Sequence, residues 1–242
     1  QRALDDKPSF NVDPKLWHEL VNASHDRDYD KMDALYDQIL TQINPDGQFF
    51  DNEKDINNHI TDLTNMTQDQ RDEITSYVMG LLNDLRSKWR GDDSKLTSNR
   101  VDQEIAQYVA QQYNDKNWDI DDSSHGHLSS GLQAAQDKYH TWVSENWGGT
   151  GLASWLAEDG YVTMADVKES IYVDMLNMLF GDGMQGNGHL YNFMGWDSNP
   201  DYGGDMNYTH FGVAIDKFGA THYIPIGAYD YNGTTPHQTP IK

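Results

Sequence analysis

The strongest constraint in this sequence is a change of period. From Asp13 to about Leu179 the apolar residues recur at helical spacing, and only after residue 208 does the chain read as strand. Asp13-Pro14 is a helix start, an N-cap residue followed by Pro at the first helical position, and Leu16, Trp17, Leu20 and Val21 then form one stripe. A second helix is expected from about Asp28 to Ile43, closed by the turn Asn44-Pro45-Asp46-Gly47. A short helix is expected around Ile56–Leu63. Thr67-x-x-Gln70 reads as a capping box opening a long helix that carries Ile74, Val78, Leu81, Leu82, Leu85 and Trp89. Further helices are expected over Asn99–Tyr113, Gly131–His140 and Leu152–Glu158, and from Thr163 onward. Phe211–Ile215 and His222–Ile226, joined by Lys217-Phe-Gly-Ala, read as a hairpin. Helices first and a small sheet last give an α+β class, not βαβ alternation.

Composition narrows the partners. The 242 residues carry 17 Lys and Arg against 39 Asp and Glu, a formal charge of −22. Such a chain has no basic face for nucleic acid and is repelled by anionic membrane. The acid is 32 Asp and 7 Glu, and Asp favours caps and turns, so most of it is expected on loops and helix ends. The absence of Cys excludes disulfides and thiol catalysis. No apolar run approaches the roughly 18 residues of a membrane span. Gln1–Asp6 lacks signal-peptide character and the chain begins without Met, so it reads as a mature or excised product whose targeting signal or anchor lies outside it.

His125, His127, His189 and His210 stand out among ten histidines. Imidazoles converging with carboxylates from distant segments make either a metal site or an acid/base pair; an exposed loop His is the plain alternative. The sequence holds no HExxH, Walker or GxSxG pattern. Gly181–Gly188 is Gly-rich, but no strand clearly precedes it and it is not expected to open a helix, so a dinucleotide loop is disfavoured. Asp51–Asp55 lacks the Gly and distal Glu of an EF-hand. Trp142, Trp147, Trp155 and Trp196 read as core or cleft-wall packing, with Trp147 and Trp196 flanking the motif segments.

Five motifs in order resemble the CAP superfamily (cysteine-rich secretory proteins, antigen 5 and pathogenesis-related-1). Asn83-Asp-Leu-Arg86 resembles its N-x-x-R, with Leu82 where a His is usual. Ser124-His-Gly-His127 falls where the first cavity His belongs. Ser144-Glu145-Asn146 resembles G-E-N, Gly188-His189-Leu-Tyr-Asn192 resembles the bacterial G-H-x-x-N, and Tyr208–Ala214 with His222–Ile226 resembles the closing strands. The match spans roughly residues 70–228 and is nearest to the CAP-like domain of Gram-positive surface exclusion proteins.

The resemblance implies an α-β-α sandwich with a small, mostly antiparallel sheet. It implies a division into an N-terminal helical extension (1–66, a stalk end or an extra helical layer), a CAP-like domain (67–230) and a tail (231–242). It implies a cavity of His127, His189, Glu145 and Glu169, with His125 as the alternative to His127; Leu128-Ser-Ser leading into a helix favours His127. Glu145 could instead cap a backbone N–H, and Glu169 could be an ordinary exposed helix residue. His127 and His189 could hold a divalent metal such as zinc. The implied function is extracellular, at the surface or wall of a Gram-positive bacterium: recognition of surface or wall components, or of another protein, in surface exclusion and adhesion. A protease-like hydrolase using the same cavity, and a lipid or small-molecule binder, are the alternatives.

Overall fold

The computed structural model describes residues 8–47, 49, 51–122, 126–149, 151–195, 208–227 and 240–241. His125, Trp196 and nearly all of the expected tail lie outside the described residues. The helices start where local chemistry places them. Asp13 caps α1 (Pro14–His25) by accepting from the N–H groups of Lys15 and Leu16, and Asp28 caps α2 (Tyr29–Ile43). Reciprocal capping boxes open α4 (Gln68–Arg90) at Thr67/Gln70, α5 (Arg100–Asp115) at Asn99/Asp102 and α8 (Met164–Phe180) at Thr163/Asp166. α6 (Ser129–Tyr139) ends on His140, which takes the left-handed conformation at φ 55°. α7 (Leu152–Asp159) ends on Gly160 at φ 78°.

Two expectations are corrected. The short helix around Ile56–Leu63 is instead a four-residue α3 (Glu53–Ile56) followed by a strand, β1 (His59–Ile60), which pairs antiparallel with β3 (Val162–Thr163). Asp62 then accepts from the backbone and hydroxyl of Thr64, and this turn stops any helix from continuing. The Gly-rich segment does lead into a helix, α9 (Gly188–Met194), after a 3₁₀ turn at Asp182–Gln185. Seven residues are too few to display a periodic stripe, and Asn187 enters the helix at φ 73°. A helix rather than a strand precedes this segment, so it is still no dinucleotide loop.

The main sheet is antiparallel with order β2-β5-β4 (β2, Asn146–Gly148; β4, His210–Ile215; β5, Thr221–Ile226). Its register pairs Trp147 with His222 and Asn146 with Tyr223, so alternate residues face opposite layers. On one face Ala214, Ile224 and Ile226 pack with Ile105, Val109, Tyr113, Ala135 and Tyr139 of α5 and α6. On the other, Phe211, Val213 and Tyr223 pack with α4, α8 and α9. The result is an α-β-α arrangement. The α5 layer lies close: a Cβ at Gly212 would stand 2.4 Å from the Asp102 carbonyl oxygen, so the closeness of strand and helix requires Gly there.

The N-terminal helices share the second core. Trp17 is fully buried, its indole N–H donates to Leu85 O at 2.9 Å, and Phe10 meets Tyr172 and Phe180 with ring centroids 5.0 and 5.1 Å apart. Asn187, which starts α9, exchanges hydrogen bonds with Ser24 of α1. Among the described residues no helix is long and apolar enough to cross a membrane.

Candidate functional site

The motif residues first act as joints. Asn83 grips both polar groups of the Leu96 backbone, donating to its O at 2.9 Å and accepting from its N at 2.8 Å. Arg86 is buried; it donates to Ser94 O at 2.6 Å and Phe193 O at 3.1 Å and lies over the Tyr208 ring. Both residues thereby anchor the connections around α4. Ser144 Oγ donates to Asn192 Oδ1 at 2.9 Å, Asn192 donates to Asn146 Oδ1 at 3.2 Å, and Asn146 donates to the His189 carbonyl at 3.0 Å. The two motif segments that carry Glu145 and His189 are therefore stitched together by amides and a hydroxyl.

Glu145 precedes β2 on the α5 side of the sheet. Its Oε1 accepts from Tyr113 Oη, on α5, and from His127 Nδ1 at 2.7 Å; its Oε2 accepts from His222 Nδ1 at 2.7 Å. Tyr113 Oη in turn accepts from the Leu128 N–H at 2.8 Å, which fixes the start of α6. His222 donates its other nitrogen, Nε2, to Asp216 Oδ2 at 2.8 Å. Carboxylates only accept, so an imidazole bonded by both nitrogens to ionised carboxylates carries both protons and a positive charge. Asp216 also accepts from the N–H groups of Phe218 and Ala220, tying the β4–β5 turn, in which Gly219 has φ 82°, to the same network. The side chains of Glu145, His222 and Asp216 are wholly buried; that of His127 is 45% exposed.

The electrostatics follow from this geometry. Burial pushes the Glu145 carboxyl up, but the His222 charge and the hydrogen bonds from His127, His222 and Tyr113 outweigh it and hold the group at about 2. Burial pushes His222 down, but Glu145 and Asp216 lift it to about 9. Burial and the Glu145 charge raise the Tyr113 phenol. The Trp147 ring leans over this cluster, its centroid 5.8 Å from His127 and 6.2 Å from His222.

His189, at the start of α9, belongs to the opposite layer. Its Nδ1 bonds Asp182 Oδ1 at 2.7 Å, and the second oxygen of this buried carboxylate accepts from Leu190 N at 3.0 Å. The imidazole is thus oriented by a fixed acid, with its side chain 30% exposed. Asp174 of α8 lies on the same face, bonded by the Tyr223 hydroxyl at 3.0 Å and packed so closely on Gly148 that a Cβ there would stand 3.0 Å from the carboxyl. Burial raises Asp174 to about 7, against the opposing pull of Tyr223 and His189. His210 pairs with Asp102 at 3.0 Å, and that hydrogen bond raises its pKa over the opposing effect of burial.

The sequence-nominated residues therefore divide. His127 and Glu145 meet; His189 takes a different carboxylate, Asp182; Glu169 is exposed on α8, where partial burial and the charges of Asp166 and Asp51 raise its pKa. Sequence reasoning missed Tyr113, Asp174, Asp182, Asp216 and the role of His222. One signal for His222 was available: a His in a strand between Thr221 and Tyr223, leading into Ile224 and Ile226, must find polar partners if it is buried. Among the described residues no group of three or more His, Asp or Glu is arranged to hold a metal ion.

The fold so built is helical layers on both faces of a short antiparallel sheet, with a His–Glu cluster before its edge strand, and it is shared with a solved CAP domain. The CAP domain of enterococcal PrgA has the same fold at a TM-score of 0.60, with 20% identity, covering 87% of this chain and 85% of that one. No protein-family model and no curated protein matches the sequence.

Proposed function

We propose that this chain is a CAP-like recognition domain displayed at the surface or wall of a Gram-positive bacterium, acting in surface exclusion or adhesion control during conjugation. The fold shared with an enterococcal CAP domain and the order of the sequence motifs support the setting. The observation that carries recognition over hydrolysis is the saturation of Glu145. Both its oxygens are engaged by three donors and its carboxyl sits at about 2, which suits an anchor and not a proton acceptor working near neutral pH. The net negative charge would repel anionic wall material and so restrict which partners approach. Partners would be surface or wall components, or another protein. In a plasmid-bearing host, deleting this domain from its parent protein should raise mating into that host; an unchanged mating frequency would sink the reading.

A second reading rests on Asp182–His189. A buried carboxylate on Nδ1 leaves Nε2 for a substrate proton or for zinc, the usual outer partner arrangement of a metal-bound imidazole. His127, with Nδ1 on Glu145, would likewise offer Nε2. His189→Ala should then abolish zinc uptake or hydrolysis of a peptide substrate.

A further inference from the structure

We infer that the outer edge of β4 is a docking site for an extended peptide, taken up as an added strand. β4 ends the sheet, and among the described residues its outer edge is used at one end only. There Thr97 lies beside it in parallel, donating to Thr209 O at 2.9 Å and accepting from Phe211 N at 3.0 Å, before the chain turns into α5. In a strand the N–H and C=O of alternate residues point to the same edge. Thr209 and Phe211 face outward, so Val213 and Ile215 do too, while Asp216, of the other parity, bonds back to Ala220 across the turn. The outward backbone groups of Val213 and Ile215 have no hydrogen-bond partner among the described residues. Thr97 therefore begins a strand position that the described residues do not continue along Val213 and Ile215.

A cleft runs along this unfilled stretch, floored by Val213, Ala214 and Ile215. α4 and the segment before it supply an apolar wall of Leu63, Met66 and Ile74, and α5 supplies an amide wall of Gln107, Gln111 and Asn114. The walls belong to opposite faces of the sheet, as do successive side chains of any strand laid between them. The cleft thus matches a peptide that alternates apolar and polar uncharged residues, its backbone supplying the affinity and the two walls its selectivity. Arg71 also lines the cleft, its guanidinium held by the Met66 carbonyl and Gln68 Oε1. This inference is independent of the His–Glu cluster.

The test titrates the whole chain with an acetylated, amidated heptapeptide alternating threonine and valine. Saturable binding is expected, with the largest amide shifts at Val213 and Ile215. N-methylating alternate peptide residues on the docking edge should weaken binding at least tenfold. Val213→Pro should do the same, because it removes an outward N–H and no bond to β5. Absence of saturable binding, or binding indifferent to N-methylation, overturns the inference. So does undiminished binding by a folded Val213→Pro. If that variant fails to fold, Gln107→Trp, which fills the cleft from the α5 side, replaces it, and undiminished peptide binding by this variant overturns the inference. Self-association of the free chain that the peptide cannot displace would assign the edge to a second copy and equally overturn it.

Discussion

Replacing Glu145 by Gln removes one charge from a wholly buried cluster while keeping its shape. The His222 imidazolium sits at about 9 against its ordinary 6.5. At about 1.4 kcal/mol per unit, the fold favours the charged ring by roughly 3 kcal/mol, shared between Glu145 and Asp216. The depressed Glu145 value reflects the same attraction and is not added again. A Gln amide also turns one donor toward Tyr113 and the histidines, leaving a buried charge less than fully compensated. Glu145→Gln should therefore cost about 3–5 kcal/mol, the usual result of removing one partner of a buried pair. For a chain of this size that lowers the melting temperature by roughly 6–20 °C. The pH dependence carries a signature. The wild-type contribution of His222 is fully present below 6.5 and is lost as pH rises from 6.5 through 9; that of Glu145 is present above 4.5 and is lost as pH falls toward 2. Melting followed from pH 3 to 10 should show both flanks in the wild type, and in the variant a shallower acid flank, since Asp72 is also held at about 2, and a weaker alkaline one. A variant that melts within about 2 °C of wild type at pH 6, or keeps the full alkaline flank, refutes the argument.

Asp174 behaves in the opposite sense: its raised value, about 7 against 3.8, means the fold holds a proton the unfolded chain releases, so stability falls as pH rises from 3.8 to 7. Asp174→Asn should gain about 2–4 kcal/mol at pH 8 and little at pH 4, read from denaturant midpoints. Tyr113→Phe leaves the Leu128 N–H without its acceptor and should cost about 1–3 kcal/mol, with faster amide exchange at the start of α6. Gly212→Ala forces a methyl group against the Asp102 carbonyl and should cost at least about 1–3 kcal/mol in melting experiments.

The fold was legible where local chemistry decides it. Asp13-Pro14, Thr67-x-x-Gln70 and Thr163 announce helix starts that the structure realises with the named cap bonds. The hairpin was legible because Phe211–Ile215 and His222–Ile226 are short β-rich runs about a Gly turn. Legibility failed where a nonlocal partner decides. His59–Ile60 becomes a strand because Val162–Thr163 lies beside it, roughly a hundred residues later in the chain. In the site, His127 and Glu145 were nominated by motif position, but no spacing rule reveals that Tyr113 and His222 would complete the shell around Glu145. Those contacts depend on the α5 layer packing against the α5-facing side of β5.

The charge imbalance points the same way once burial is known. The resemblance assigns two of the seven Glu residues, Glu145 and Glu169, to the cavity, and most of the 32 Asp residues are expected on loops and helix ends. Yet among the described residues the buried acids are Asp55, Asp102, Asp174, Asp182 and Asp216 beside the single Glu145, while Glu169 is exposed. The physical reason is reach. A buried carboxylate must find donors close to its own backbone, and a short side chain meets them with less entropy to lose. Asp182 takes Leu190 N and His189, Asp216 takes two turn N–H groups and His222, and Asp102 closes a capping box while pairing with His210. Each such Asp ties a local backbone feature to a histidine from elsewhere. Glu145, with its longer arm, is the one acid that gathers a phenol and two imidazoles from α5, the loop before α6 and β5. His189, His210 and His222 are therefore held in place by aspartates that also hold the backbone. Neutralising any one of these acids should disturb a turn or a cap as well as an imidazole.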